Sequence, residues 1–333
     1  MSTYYQIFGG KINIVTSDPS NAITGQVWYN STSNALKFQG VSSPAWASGG
    51  ALSPVKYSMN DGGTQTAAIA SGGGGDPNGV PYQIQTTTLE YDGTSWTSGG
   101  ALGLGNIRGS GCGTQTTALK FAGWIATATQ TTQSEEYDGT SWTSGGNLPS
   151  AEEQMQSAGT QTSALGSGGV STSGKTATYE YDGSSWTSGG SLPAAKVAGA
   201  GAGTQTAALV AAGSTTDSYT NMSGIAYEYD GTSWTTGGTN ATNRMYVAGA
   251  GLQTAALIFG GLTPTAQSAA ESYNGTSWAN DTSLSTARGQ LGGASAGTSS
   301  LTAGYGGTNG ATFQTGTEEY TAGGPSPKTV TAT

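Results

Sequence analysis

The segment "EYDGTSWTSGGAL", residues 90–102, returns as "EYDGTSWTSGGNL" at 136–148, "EYDGSSWTSGGSL" at 180–192 and "EYDGTSWTTGG" at 228–238. A second segment, rich in small residues and first seen as "GTQTAAIASGG", also recurs. Its six copies begin at Gly63, Gly113, Gly159, Gly203, Gly251 and Gly297, so successive copies start 50, 46, 44, 48 and 46 residues apart. A repeat at a fixed period defines the architecture before any local motif does.

The spacing between the two segments is nearly constant. The Trp of the first segment precedes the next small-residue segment by 17 residues in five repeats and by 19 in the last. These residues are Trp46, Trp96, Trp142, Trp186, Trp234 and Trp278. Asp-Gly between apolar strand ends predicts a tight hairpin, because Gly accepts the positive φ of a two-residue turn. Each repeat therefore predicts four short strands, two tight turns and one connection of variable length.

A period in the mid-forties with four strands per unit is typical of a propeller blade. The residues resemble kelch repeats, in which a Gly-Gly pair ends the second strand and a Tyr and a Trp follow on the third and fourth. This resemblance covers about residues 41–320 and includes a basic residue where the first strand starts, at Lys56, Arg108, Lys196, Arg244 and Arg288. The third repeat departs from it with Glu152 and Glu153. We expect an all-β, six-bladed, kelch-like β-propeller of four-stranded blades.

The ends of the repeat region predict how the blades close into a ring. The sixth repeat stops after "GTEEYTAGG" without a Trp, whereas Trp46 has no small-residue segment before it. The N-terminal strand around Trp46 would then complete the last blade, and either Phe38 or Tyr320 could take the Tyr position there. "GQVWYNSTSNALKFQG", from Gly25, predicts a separate hairpin. We expect a hairpin segment at 1–40, the propeller at 41–323 and a tail at 324–333.

The repeated aromatic residues and the loop aromatic residues have different predicted roles. Tyr91, Tyr137, Tyr181, Tyr229 and Tyr273, with the repeat Trp residues, are expected to fill space between blades. The variable loops are rich in Ser, Thr, Asn and Gln and lie on one face, where a rigid scaffold commonly carries recognition. The candidate ligand-binding residues there are Tyr82, Trp124, Tyr219, Asn221 and Phe313. Ordinary solvated loops are the alternative.

Composition excludes several kinds of chemistry. The chain has no His and one Cys, Cys112, so it can form no His-dependent nucleophile system, intrachain disulfide or thiolate metal cluster. Adjacent carboxylates such as Glu135 and Glu136 point to opposite faces of a strand, which is poor geometry for catalysis. One Asp per "DGTS" turn supplies too few oxygens for calcium. We therefore expect no enzyme activity, no cofactor and no metal.

The charge pattern limits the partners. The net charge is -9 and the ten basic residues are scattered singly, which argues against nucleic-acid binding. No apolar run is long enough for membrane insertion, and the N-terminus lacks the pattern of a secretory signal.

The hairpin leader and the degenerate "YDGTSWTSGG" repeats together resemble kelch-like proteins of tailed bacteriophages, notably marine and cyanobacterial ones. This resemblance implies a virion structural or host-attachment protein, made in the host cytoplasm and part of a multimeric assembly. Residues 1–40 would dock to other virion proteins, and the loop face would bind a host-surface glycan or protein receptor. A glycan-active propeller enzyme of the sialidase or glycosidase kind, with Arg244 or Arg288 in its site, and a bacterial protein-interaction scaffold are the alternatives.

Overall fold

A computed structural model describes residues 12–75, 83–127 and 129–330, and the chain is all-β there apart from a short 3₁₀ helix at Tyr219–Asn221. The first strands are β1 Asn13–Val15, β2 Val27–Asn30, β3 Ala35–Ser42, β4 Ala45–Gly49, β5 Asn60–Thr64, β6 Ala67–Ser71, β7 Thr88–Tyr91, β8 Trp96–Ser98, β9 Asn106–Ile107 and β10 Ser110–Thr114. Then follow β11 Thr117–Phe121, β12 Trp124–Ile125, β13 Thr129–Gln130, β14 Ser134–Tyr137, β15 Trp142–Ser144, β16 Glu153–Thr160, β17 Ser163–Val170, β18 Thr178–Tyr181, β19 Trp186–Ser188, β20 Ala200–Thr204 and β21 Ala207–Ala211. The last are β22 Ile225–Tyr229, β23 Trp234–Thr239, β24 Ala248–Leu252, β25 Ala255–Phe259, β26 Ala270–Tyr273, β27 Trp278–Asp281, β28 Gly292–Gly293, β29 Leu301–Tyr305, β30 Thr317–Thr321 and β31 Gly324–Thr329.

The chain divides into two compact units, of which the larger spans Trp46–Thr321. Its repeats form four-stranded antiparallel sheets, here numbered 1 to 6, in the orders β5-β6-β7-β8, β10-β11-β14-β15, β16-β17-β18-β19, β20-β21-β22-β23, β24-β25-β26-β27 and β28-β29-β30-β4. The first strand of each sheet contacts the first strand of the next, and β28 contacts β5. This arrangement is propeller-like. Tyr320 lies in β30 beside β4, whereas Phe38 lies in β3 of the smaller unit.

The Tyr of the repeated "EY" pair joins each sheet to its neighbour. Tyr137, Tyr181, Tyr229 and Tyr273 are buried, and each donates its hydroxyl hydrogen to the Glu of the preceding copy. Tyr91 of sheet 1 donates in the same way to Glu319 of sheet 6, at 2.7 Å. Each repeat Tyr also packs against the Trp of its own sheet, with ring centroids 4.8–5.0 Å apart. These pairs fill the space between sheets, as a structural role for the repeat requires.

The Gln of the "GTQT" turn is a second connection between sheets. The Gln115 side-chain amide donates hydrogen bonds to the backbone oxygens of Ala68 and Tyr91 in sheet 1, at 3.0 and 2.7 Å. Gln161, Gln205 and Gln253 repeat this arrangement on the sheets that precede theirs. Repetition of the motif therefore preserves both a turn and a contact with the neighbouring sheet.

The smaller unit runs to Ala45 and resumes at Ala322. It is a four-stranded sheet of order β1-β2-β3-β31, in which β2 and β3 form the predicted hairpin and β1 pairs parallel to β2. Asp18 accepts hydrogen bonds from the side chains of Lys37, Asn30 and the buried Trp28, and these bonds lower its pKa to about 2. Residues 324–329 of the segment expected to be a tail form a strand of this sheet, since β31 pairs with β3 from Lys37 to Ser42.

Candidate functional site

Six residues at equivalent positions of the larger unit form a ring of backbone hydrogen bonds, here called the backbone ring. Its members are Ser58, Arg108, Gln154, Ala198, Tyr246 and Gln290. Each N–H donates to the carbonyl oxygen of the member one sheet earlier, and Ser58 donates to Gln290, at distances of 2.6 to 3.1 Å. All six have positive φ, between 47° and 59°, which is uncommon for residues other than Gly. Strain of this kind persists only where the surrounding structure fixes it.

The backbone ring holds a constant position but varied side chains. Each member is the twelfth residue after a repeat Trp, as Ser58 is after Trp46 and Gln290 after Trp278. Of these six residues only Arg108 belongs to a sequence pattern, because the side chains at this position share no chemistry. The sequence signal that identifies this ring is a position that keeps a constant distance from the repeat Trp while its side chain changes from repeat to repeat.

A cavity of about 960 Å³ lies on the loop side of the backbone ring and is here called the loop cavity. Arg108 and Gln290 of the ring line it, together with Tyr57 and Ile107, which directly precede ring members. Trp124 and Leu262 occupy equivalent positions, each directly after a Gly that ends the small-residue segment, and also line it. This part of the wall is thus formed by short extensions of the first two strands of several sheets, and Tyr219, Pro264 and Phe313 of the variable loops complete it.

Three of the five candidate ligand-binding residues line the loop cavity: Trp124 from β12, Tyr219 from the 3₁₀ helix, and Phe313. Tyr219 and Phe313 each expose 39% of their surface. The ring of Phe313 stacks on that of Tyr57, with centroids 4.5 Å apart and planes 7° from parallel.

The other two candidates are not among the lining residues. Asn221 is exposed, and its side-chain amide donates a 3.0 Å hydrogen bond to the Thr216 hydroxyl within its own loop. Tyr82 lies outside the described residues.

Arg108 lies at the centre of a polar cluster beside the loop cavity. Its Nη1 is 3.5 Å from Glu153 Oε2 and 3.9 Å from Asp217 Oδ2, and a third of its side chain is exposed. The Tyr246 hydroxyl donates a 3.0 Å hydrogen bond to Asp217, and the Gln130 amide donates to Glu153. Burial raises the pKa of Glu153, and the Arg108 charge opposes that shift. Two carboxylates thus neutralise the positive charge that Arg108 brings to the cavity.

Arg108 does not occupy the basic position to which the kelch resemblance assigned it. That position lies two residues earlier and belongs to Asn106, whose side-chain amide donates to Asn60 and to the backbone oxygen of Ala122. The other four basic residues of the pattern, Lys56, Lys196, Arg244 and Arg288, are at most 2% exposed.

Arg244 and Arg288 serve the scaffold. Arg244 pairs with Glu271 at 2.8 Å, and Arg288 pairs with Glu318. Each of these carboxylates also accepts hydrogen bonds from two backbone N–H groups of the connection that leads into its own sheet and carries the arginine. Removing either arginine would leave a buried, unpaired carboxylate, so its loss tests stability and not catalysis.

A narrower cavity of about 110 Å³ runs along the first strands and shares Arg108 and Gln290 with the loop cavity. It is lined by Asp61, Gln154 and Gln156, and both amide atoms of Gln154 and the Oε1 atom of Gln156 are buried without a hydrogen-bond partner. The space is large enough for a few water molecules, which such polar groups commonly bind.

Residues 12–75, 83–127 and 129–330 contain neither a cluster of metal-ligating side chains nor a membrane-spanning helix. No three His, Cys, Asp or Glu side chains in these ranges gather as a metal site would require. These ranges also hold no helix with the length and apolar character needed to cross a bilayer.

Comparison of the sequence with protein-family models and with curated proteins finds no match.

Proposed function

We propose that the larger unit is a closed, six-bladed, kelch-like propeller and that sheets 1 to 6 are its blades. Four observations support this: six copies of the repeat, the contacts from each first strand to the next, the Tyr91–Glu319 hydrogen bond and the backbone ring that returns from Gln290 to Ser58. Strand β4 completes the last blade beside β30. Such a frame holds the loops of all six blades around one axis.

The protein is a non-catalytic attachment component of a bacteriophage virion, of the tail, tail-fibre or capsid-associated kind, and its loop face binds a host-surface glycan or protein. The loop cavity carries this proposal, because Trp124, Tyr219 and Phe313 line it together with polar residues such as Gln83 and Gln290. Concave sites of mixed aromatic and polar lining are typical of ligand binding. Other virion proteins are the partners of residues 1–40.

Exposed apolar side chains on the smaller unit support its proposed docking role. Ile14, Ile23 and Val41 are 62–74% exposed, so this unit presents apolar side chains that a docking partner would cover.

Two measurements test the function. Mass spectrometry of purified phage particles whose genome carries this sequence should detect the chain at a fixed copy number. The purified full chain should bind intact host cells, and Trp124→Ala should reduce this binding while Asn221→Ala, on the same face, should not. Absence from particles, or cell binding that neither substitution affects, would count against the proposal.

A glycan-active enzyme is the second candidate, because Glu153 and Asp217 flank Arg108 beside the loop cavity. Hydrolysis of a bound glycan with release of reducing sugar, lost in Glu153→Gln, would favour it. A bacterial interaction scaffold would instead bind a protein from its own cell and be absent from particles.

A further inference from the structure

We infer that the loop cavity selects a neutral oligosaccharide and disfavours one that carries carboxylate, sulfate or phosphate groups. This inference rests on the proposed recognition role of the loop face and names the ligand class. Its basis is the combination of exposed aromatic faces, uncharged polar groups and a neutralised arginine around one cavity.

The aromatic faces suit sugar rings. Phe313 is held against Tyr57 by stacking, so it offers its second face without losing conformational freedom on binding. Trp124 is partly buried in a paired strand and is similarly fixed. Rigid aromatic side chains at partly exposed positions provide large contact area at low entropic cost. A volume of about 960 Å³ accommodates several sugar units.

The polar groups suit hydroxyls. Gln83 and Gln290 line the cavity and bring side-chain amides that both donate and accept hydrogen bonds, whereas the Thr308 hydroxyl is engaged within its own loop with Thr312 and Gly310. Such groups match the alternating donors and acceptors of a sugar without requiring charge.

The charged side chains around the cavity disfavour an anionic ligand. Arg108 is the one Lys or Arg among the lining residues in the described part of the chain, and Glu153 and Asp217 flank it within 4 Å. An added carboxylate would therefore find the Arg108 charge already compensated, in a chain of net charge -9.

The test compares matched glycans on the full chain. Isothermal titration would use cellotetraose and chitotetraose, the same oligosaccharides with C6 oxidised to carboxylate, and the best neutral binder from a glycan array with its acidic counterpart. We expect each neutral ligand that binds to do so at least about tenfold more tightly than its acidic form. Equal or tighter binding of acidic forms would overturn the inference and leave glycan recognition intact.

Two variants separate charge from shape. Asp217→Asn keeps the oxygen that accepts from Tyr246 but removes one carboxylate, so affinity for the acidic form should rise by about two- to fivefold while the neutral form is unaffected. This gain should shrink at high salt. Trp124→Ala should lower affinity for the neutral form by about tenfold, and Asn221→Ala should not.

Other outcomes are also decisive. If Asp217→Asn changes the affinities for the neutral and acidic forms equally, the charge argument is wrong. If the chain binds host cells yet no glycan on the array, the ligand is a protein and the inference fails although the attachment role survives. Loss of cell binding as well would refute both.

Discussion

At the scale of single residues, backbone conformation accounts for most of the repeated Gly. The Gly-Gly pair of the small-residue segment has φ of 56–68° at its first position and 82–109° at its second in all six repeats. Ala122 and Ala212 occupy the first position, where the left-handed helical region still admits a Cβ. At the second position of the pair, only Gly occurs.

This difference predicts unequal effects for two adjacent buried alanines. Ala212 has φ of 56°, whereas Ala211 ends strand β21 with ordinary strand geometry. Both substitutions to Gly remove one methyl group, but only Ala212→Gly also relieves the left-handed strain. We expect Ala212→Gly to be less destabilising than Ala211→Gly by about 1 kcal/mol. Urea unfolding of both variants measures this, and equal losses would contradict it.

A second residue-scale prediction concerns Asp61, which lines the narrow cavity and accepts a 2.6 Å hydrogen bond from Gly293 N. Burial raises its pKa to about 7. Between pH 4 and pH 7 the folded state therefore holds a proton that the unfolded state has released, so Asp61 lowers stability as pH rises through this window. We expect Asp61→Asn to be more stable than the parent at pH 8, by about 1–3 kcal/mol, with the difference shrinking towards pH 4.

Asp92→Asn is the matched control for that titration. Backbone hydrogen bonds from Ser95 and Thr94 lower the pKa of Asp92, so its stabilising effect is lost only as pH falls below the ordinary value. Its stability difference from the parent should stay constant between pH 5 and pH 8. If Asp61→Asn also shows a constant difference over that range, burial does not raise the Asp61 pKa.

At the scale of strands and sheets, one connection recurs in three of the six sheets. It is missing at Trp186 and Trp278, whose Nε1 atoms are buried without a partner, and Trp46 donates to the backbone oxygen of Thr282 instead. The indole N–H of Trp96, Trp142 and Trp234 donates to the hydroxyl of Thr317, Thr88 and Thr178 in the preceding sheet, at 2.9 Å each time. Trp278 has Ala226 at the corresponding place, and its Nε1 is buried without a partner. A buried donor left unpaired costs free energy.

Ala226→Thr should supply the missing acceptor. We expect it to raise the free energy of unfolding by about 0.5–1.5 kcal/mol, because the same residue fits this position in three other sheets. Ala226→Val adds nearly the same shape without a hydroxyl and should not stabilise the protein. Thermal unfolding of the two variants would settle this, and a Val variant as stable as the Thr variant would exclude the hydrogen bond as the cause.

The sequence was sufficient to predict these elements, and it indicated Trp124, Tyr219 and Phe313 of the loop cavity but not the rest of that site. Turn chemistry at Asp92-Gly93 and constant Trp spacing indicate four strands per repeat, because both follow from local backbone demands. The loop cavity depends instead on residues that differ between repeats, such as Tyr57 and Gln290, which are brought together only by the assembled sheets. Arg108 shows why the site is hard to predict from sequence. It lies only two residues after Asn106, yet Asn106 occupies the buried scaffold position and Arg108 lies beside the cavity.

At the scale of the whole molecule, the proposed closure makes Trp46 as important as any other repeat Trp. Its ring lies 5.0 Å from that of Phe259 and 5.1 Å from that of Tyr320. We expect Trp46→Ala and Trp142→Ala to lower the free energy of unfolding by similar amounts, about 3–5 kcal/mol. Chemical denaturation measures both, and a much smaller loss for Trp46 would show that the sixth sheet does not depend on its N-terminal strand.

The pairing of β4 with β30 also has a consequence for folding during synthesis on the ribosome. Sheets 1 to 5 each use strands that leave the exit tunnel in succession, so they can assemble as they emerge. Strand β4 emerges before all of them and must wait, unpaired, until the last repeat is translated. A nascent chain truncated anywhere before Thr317 thus keeps an open edge, and a cell's quality control could recognise incomplete copies by that edge alone.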